Sequence, residues 1–349
     1  MGRWYTTREA VKRALGEQSP SGERDKVLDQ KIEAASREIE NITHRRFIPY
    51  TAVKRYSFPY RDMLRAWVLP LDEDLLSVTT LTKDDDTATA IAAADFFLEP
   101  GNLGPPYSRI EIDLASSAFF GSSSTHQRAV RVTGQWGYCN TTEAAGALAE
   151  ADDGSETALD VTDSSLIGIG DTILIGDEAM FVSAKALLDT TANTAGALVA
   201  SKSETTVPVN TGTLVKDGEI ITIDSERMFV ESISGNNLTV IRGYDGSALA
   251  SHANPSDVYA PRTLTVVRAS EGTTAASHST AAAISRYVAP YDIVNLCEAI
   301  AIFEYMQSRG GRTGVVGTGE GAIEITGRSL AKLRDGVRKH YVRHAMGAV

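Results

Sequence analysis

Cysteine is scarce: Cys139 and Cys297 are the two in 349 residues, far apart in the chain. That excludes a disulfide framework and a thiolate metal site and fits a chain made in a reducing cytosol. No apolar run is long enough to cross a bilayer, and Met1 to Arg13 is polar where a secretory leader would be apolar. Histidine is sparse too. His340 and His344 stand four apart, but the metalloprotease pattern needs Glu where Tyr341 stands. His252 and His278 have no cysteine or third histidine beside them and read as hydrogen-bonding residues at turns. Gly310 to Gly321 is glycine-rich but lacks the Lys-Ser/Thr pair of a phosphate loop, and no strand feeds it. Asp84, Asp85 and Asp86 lack EF-hand spacing and read as a solvated turn. Spacing picks out no Ser-His-Asp or Cys-His grouping. The expectation is a protein with no catalytic residues, no metal and no cofactor.

What is present is a helix that other elements must wrap. Pro290 suits a first helical position, Asp292 favours the first turn, and Gly310-Gly311 stops the run. Between them Ile293, Val294, Leu296, Cys297, Ile300, Ile302, Phe303 and Met306 are apolar almost all round, the pattern of a buried helix. Upstream, Thr6 with Glu9 reads as a capping box for a short helix ending at Gly16. A long helix follows from about Arg24 to His44, with Leu28, Ile32, Ala35, Ile39 and Ile42 on one stripe. Val53 to Phe58, Leu75 to Thr82, Arg109 to Asp113 and Val130 to Trp136 read as strands. Residues 140–160 have the Thr, Ala, Gly, Glu and Asp composition of a linker.

A repeat lies beyond that linker. Residues 157–184 match 205–232 without gaps, ten of 28 positions identical, among them Gly170, Glu178, Met180 and Phe181. Residues 238–252 match 264–278, eight of 15 identical, ending at His252 and His278. The order of the halves predicts a nested duplication: an inner unit, 205–261, inserted into an outer unit formed by 157–184 with 262–287. The fold class expected is α+β. Residues 1–138 and 288–349 form a discontinuous helical core with a few β-strands, and 139–287 is an inserted all-β domain of two nested units.

Charge follows the same division. Net charge is +5 over residues 1–65, −6 over 66–138, −12 over 139–287 and +2 over 288–349, which makes the net −11 of the chain. The last segment reads as an amphipathic helix. Leu330, Leu333, Val337 and Tyr341 form its apolar stripe, and Arg328, Lys332, Arg334, Arg338, Lys339 and Arg343 make the rest basic. Such a face suits an acidic surface or nucleic-acid phosphate. It lacks the interleaved aromatics that would stack bases.

The order of elements in the core, with Ile32-Glu-Ala-Ala-Ser-Arg-Glu-Ile39 and Arg45-Arg46-Phe47, then Val130 to Tyr138, then Ala289-Pro290-Tyr291-Asp292-Ile293 leading to Tyr305 and Arg309, resembles the head-to-tail connector (adaptor) proteins of tailed bacteriophages. The likeness covers about 1–138 and 288–349. The body at 139–287 departs from it, since such adaptors pass from this strand to this helix by a short loop. Its repeat is similar to small β-units of other phage virion proteins. The resemblance implies a helical connector core and a ring, usually a dodecamer, in the virion neck beneath the portal protein. A tail-side neck protein (stopper or tail terminator) sits below it, and double-stranded DNA passes through the lumen without sequence recognition. It implies assembly in the host bacterial cytoplasm, no membrane partner and no enzymatic role. It also implies that the C-terminal segment engages the portal, which makes Arg328, Lys332, Arg334, Arg338, Lys339 and Arg343 the docking candidates. Two other classes fit less of the chain. A fibre or adhesin would account for 140–287 but not for the helical ends, and a metal-dependent enzyme would need a ligand cluster.

Overall fold

The computed structural model describes residues 3–16, 22–58, 65–83, 88–121, 125–310, 315–316, 323–324 and 327–343. Helix α1 (Arg8–Leu15) is capped by Thr7, whose Oγ1 accepts from the Ala10 amide at 3.2 Å, and closed by Gly16 at φ 65°. The cap is one residue later than expected, and Glu9 does not close a box. It reaches the Ile169 amide at 2.8 Å instead. Helix α2 (Gly22–Thr43) buries Leu28, Ile32, Ala35 and Ile39 against α3 (Tyr291–Gly310), which buries Ile293, Leu296, Cys297, Ile300, Ala301 and Tyr305. Between the two, Ser36 donates to the Ile32 carbonyl at 2.9 Å and sits 3.3 Å from the Cys297 sulfur. The far side of α3 is covered less completely than its sequence predicts. Val294, Ile302 and Phe303 are only half-buried.

The expected helical core with a few strands is incorrect. The chain is mostly β, 38% strand against 25% helix, in two large antiparallel sheets. The first lies between α2 and the repeat body. It comprises β1 (Tyr50–Tyr56), β2 (Val68–Lys83), β3 (Thr89–Ile91), β4 (Phe96–Glu99), β5 (Tyr107–Ile112) and β6 (Val130–Trp136), in the order β1-β6-β2-β5-β4 with β3 on β2. It has a core of its own around Leu69, Leu75, Ile110, Val132 and Trp136. The sequence conceals β2, because its register with β5 shifts between Pro70 and Leu75. Such a bulge breaks the period-2 pattern by which a strand is recognised.

The second sheet runs through the repeat body. Its strands are β7 (Thr142–Ala147), β8 (Ala158–Asp160), β9 (Thr172–Ile175), β10 (Glu178–Asn193), β11 (Thr206–Pro208), β12 (Ile220–Ile223), β13 (Glu226–Ser234), β14 (Asn237–Ile241), β15 (Asp257–Val267) and β16 (Ala283–Tyr287). β10 and β15 are long and pair along both halves, Phe181 with Val267 at one end and Asn193 with Asp257 at the other. One half packs around Ile173, Ile175, Met180, Val182, Leu264 and Ile284, the other around Ile221, Ile223, Met228, Val230, Leu238 and Val258. Met180 and Met228 thus hold the same place in two separate cores. Residues 140–160 are not a linker. β7 pairs with β16, and the bridges Leu148–Val161 and Thr194–Val209 show that the halves begin near 142 and 188, earlier than the sequence matches reveal.

The ends of the body meet. Thr142 pairs with Tyr287, and the Val288 amide donates to Thr141 at 3.0 Å. After α3 come two short paired strands, β17 (Val315–Val316) and β18 (Ile323–Glu324), and then α4 (Gly327–Tyr341). Asp84 to Asp86, His344 and most of Gly310 to Gly321 lie outside the described residues.

Candidate docking surface

Helix α4 is held by one narrow side. Leu330 and Val337 are buried in the same core as α2 and α3. The Tyr341 ring meets Phe47 and Tyr138 edge-on at 5.4 and 5.3 Å, and its hydroxyl donates to Asp292 at 2.9 Å. Leu333, expected in this stripe, is 44% exposed.

The basic residues divide into two sets. Arg334 reaches Glu38 at 2.7 Å, and Arg343 donates to Asp74 at 2.8 Å and to the Leu71 carbonyl at 2.7 Å. Arg45 also takes Asp74 at 2.6 Å and the Tyr341 carbonyl at 2.6 Å. Burial raises the Asp74 carboxyl above its usual range against the pull of these two arginines. Arg334 and Arg343 are therefore fasteners of α4 onto the protein. Lys332, Arg338 and Lys339 are exposed, and among the described residues Lys339 pairs with Asp335 one turn back. The Arg328 side chain lies outside the described residues.

A seam joins the helices to the repeat body, and sequence reading missed it. Trp4 packs edge-on against Phe181 with centroids 5.5 Å apart. A side chain on Gly170, where φ is +107°, would lie 2.2 Å from the Trp4 ring. Arg3 bridges Glu40 at 3.2 Å and Glu271 at 3.1 Å, and the Tyr5 hydroxyl donates to Glu40 at 2.8 Å. The signal available was the unusual Arg3-Trp4-Tyr5 run, two aromatics in an otherwise polar start.

The repeat explains the polar centres of the body. Glu178 accepts from the Arg268 fork, the amides of Ala269 and Ala276, and His278. Glu226 accepts in the same way from Arg242, the amides of Gly243 and Ala250, and His252. Burial alone would raise both carboxyls, yet these donors hold each at about 2. In each centre the buried carboxylate ties a hairpin to the turn that crosses it.

One repeated position differs. Glu219 accepts the Arg262 fork at 2.8 and 2.6 Å and the Ser164 hydroxyl at 2.9 Å, so it locks the two halves together; burial raises it, but Arg262 brings it below its usual range. Its counterpart Asp171 is buried with the Gly168 amide at 2.7 Å and Arg286 only at 3.6 Å. Burial wins there, and the carboxyl is raised to about 6. Asp171 steadies the turn whose Ile169 carbonyl accepts from the Arg8 amide of α1.

Carboxylates of Asp152, Asp153 and Glu156 come within 4.8 Å of one another, but Asp152 is taken by Arg268 at 2.6 Å. No helix among the described residues is long and apolar enough to cross a membrane. Comparison with protein-family models, with curated proteins and with solved structures gives no match.

Proposed function

We propose that this protein is a structural component of a tailed-phage virion, a head-to-tail adaptor whose copies form a ring beneath the portal and let DNA pass. The observation that carries the reading is α4: a basic helix fastened along one side, with Lys332, Arg338 and Lys339 left facing outward. It is presented beside α2 and α3 because the ends of the repeat body meet and return the chain to the same place. Its exposed cations fit an acidic portal surface at short range, where such charges steer association. The body, at net −12, is repelled by DNA and belongs at the outside or rim of the ring. The centres built on Glu178, Glu219 and Glu226 are satisfied within the body and serve the fold.

Removing α4 altogether is a poor test, because Leu330, Val337, Tyr341 and Arg343 belong to the core and its fastenings. Reversal of Lys332, Arg338 and Lys339 to Glu is the better one. These side chains are exposed, so thermal stability should stay near wild type, since surface changes shift stability by about 0.5 kcal/mol or less. Attachment of tails to DNA-filled heads should be lost. Normal numbers of tailed particles, counted by microscopy, would refute the docking role.

A further inference from the structure

On the outer unit of the body the chain's own N-terminal segment has a fixed seat. Trp4 lies on Phe181 beside Gly170, and Arg3 reaches both oxygens of Glu271 at 3.1 Å. The inner unit repeats that seat. Gly218 stands for Gly170, Phe229 for Phe181 and Asp245 for Glu271. The backbone agrees. The Gly170 amide donates to the Val182 carbonyl at 2.8 Å, and the Gly218 amide to the Val230 carbonyl at 2.8 Å. Glu271 sits at φ 52°, ψ 29° and Asp245 at φ 55°, ψ 32°, the same left-handed turn.

The inner seat opens on a groove. Gly218, Tyr244 and Asp245 line a groove of about 560 Å³ between the body and α1, together with Leu166 and Leu187, which are 41% and 50% exposed. A side chain on Gly170 would strike the Trp4 ring, whereas at Gly218 the nearest atom is the Ser165 Cβ at 3.4 Å. The groove is continuous with the Trp4 seam, since Thr7, Gly168 and Ile169 belong to both. Tyr244 replaces Ser270 and stacks on Phe229, with centroids 5.3 Å apart. The aromatic surface of the seat is thereby moved outward, onto a half-buried ring at the groove. Charge decides what fits. Arg8, Lys12, Lys185 and Arg286 in the walls are held by Asp29, Asp25, Glu9 and Glu143, and Arg13 acts on Glu298 of α3. These cations do not call for an anion. Asp245 is held through one oxygen by Arg227 at 3.2 Å, and burial raises its carboxyl against the pull of Arg227 and Lys12. A carboxylate so placed gains from a further cation.

We infer that this groove receives an extended segment of a partner protein that carries an aromatic side chain beside an arginine. The segment sits on Tyr244 and Asp245 as Trp4 and Arg3 sit on Phe181 and Glu271. Every copy of the chain has its own Arg3 and Trp4 already seated, so the occupant belongs to a different protein.

The test uses the full chain and a fluorescein-labelled peptide, Gly-Arg-Trp-Tyr-Thr-Thr, the sequence of residues 2–7, with binding read by fluorescence anisotropy. Wild type should bind it at one site with a dissociation constant below about 1 mM. Alanine in place of the peptide's arginine or tryptophan should weaken binding about tenfold or more, and so should Asp245→Asn in the protein. Asparagine suits the left-handed backbone at 245, so this variant should melt like wild type. No binding at about 1 mM, or equal binding by wild type and Asp245→Asn, would overturn the inference. Tighter binding of an acidic peptide, Gly-Glu-Trp-Glu-Thr-Thr, would overturn it too, since the groove would then take anions. Loss of binding in Glu271→Gln with full binding in Asp245→Asn would place the peptide in the outer seat, in exchange for Trp4, and refute the assignment.

Discussion

Removing Glu226 should damage the protein more than removing its repeat counterpart Glu178. Both carboxylates are fully buried. Glu226→Ala strands Arg242, whose side chain has no exposed surface and whose other acidic neighbour, Glu204, lies at 3.6 Å. Breaking a buried pair in this way costs about 3–5 kcal/mol. The amides of Gly243 and Ala250 also lose their acceptor, at about 1–3 kcal/mol for each donor left unsatisfied. Glu178→Ala leaves Arg268 with Asp152, both of whose oxygens lie at 2.6 Å, so most of the charge term survives. The amide loss is common to both, so the expected losses are about 5 kcal/mol or more for Glu226→Ala and about 2–6 kcal/mol for Glu178→Ala, the latter smaller by the charge-pair loss of about 3–5 kcal/mol. Urea unfolding followed by circular dichroism measures both, and hydrogen exchange locates the damage within 205–250 for the first. Equal losses, or a larger loss for Glu178→Ala, would refute the reasoning. So would a Glu226→Ala loss below about 1 kcal/mol, the range of an ordinary single hydrogen bond.

Ile300→Ala should cost about 2–5 kcal/mol, since Ile300 is fully buried between α2 and α3; a loss under about 0.5 kcal/mol would show that the helix is not packed there. Asp171, raised to about 6 by burial, binds its proton more tightly folded than unfolded, so its contribution is complete below about pH 4 and is lost as pH rises through 6. Burial outweighs the Gly168 amide, Arg286 and Lys185, which lower the value, while Glu9 adds to it, and Asp171→Asn should abolish this part of the pH dependence of melting. Glu178 and Glu226, held at about 2, act in the opposite sense: their stabilisation is present above about pH 4.5 and lost towards pH 2, seen as acid unfolding. Gly170→Ala should loosen the seam by displacing Trp4, read as a change in tryptophan fluorescence and faster proteolysis between the helices and the body.

Much of this arrangement was legible where one period or one motif dominates. The Leu28–Ile32–Ala35–Ile39 stripe and the Pro290-led helix give α2 and α3 nearly to the residue, because helical spacing and stop signals are local. The matches ending in His252 and His278 point to equivalent turns, and both histidines bind the repeated glutamate. Three features were hidden. The bulged β2 breaks its own alternation, so a six-stranded sheet read as a few strands within a helical core. β7 and the second half of β10 are divergent copies whose kinship shows only through pairing. The basic face of α4 could not be divided from its sequence into fasteners and free cations, because Glu38 and Asp74 reach Arg334 and Arg343 from distant parts of the chain. The Trp4 seam was likewise invisible, since its partner Phe181 lies 177 positions away.

The most direct measurement of the central claim is class-averaged electron microscopy of the purified full-length protein. Closed rings of many copies with an open lumen are expected, the repeat bodies at the outside or rim and α4 together on one face. Dispersed monomers, or elongated rods without a lumen, would contradict it.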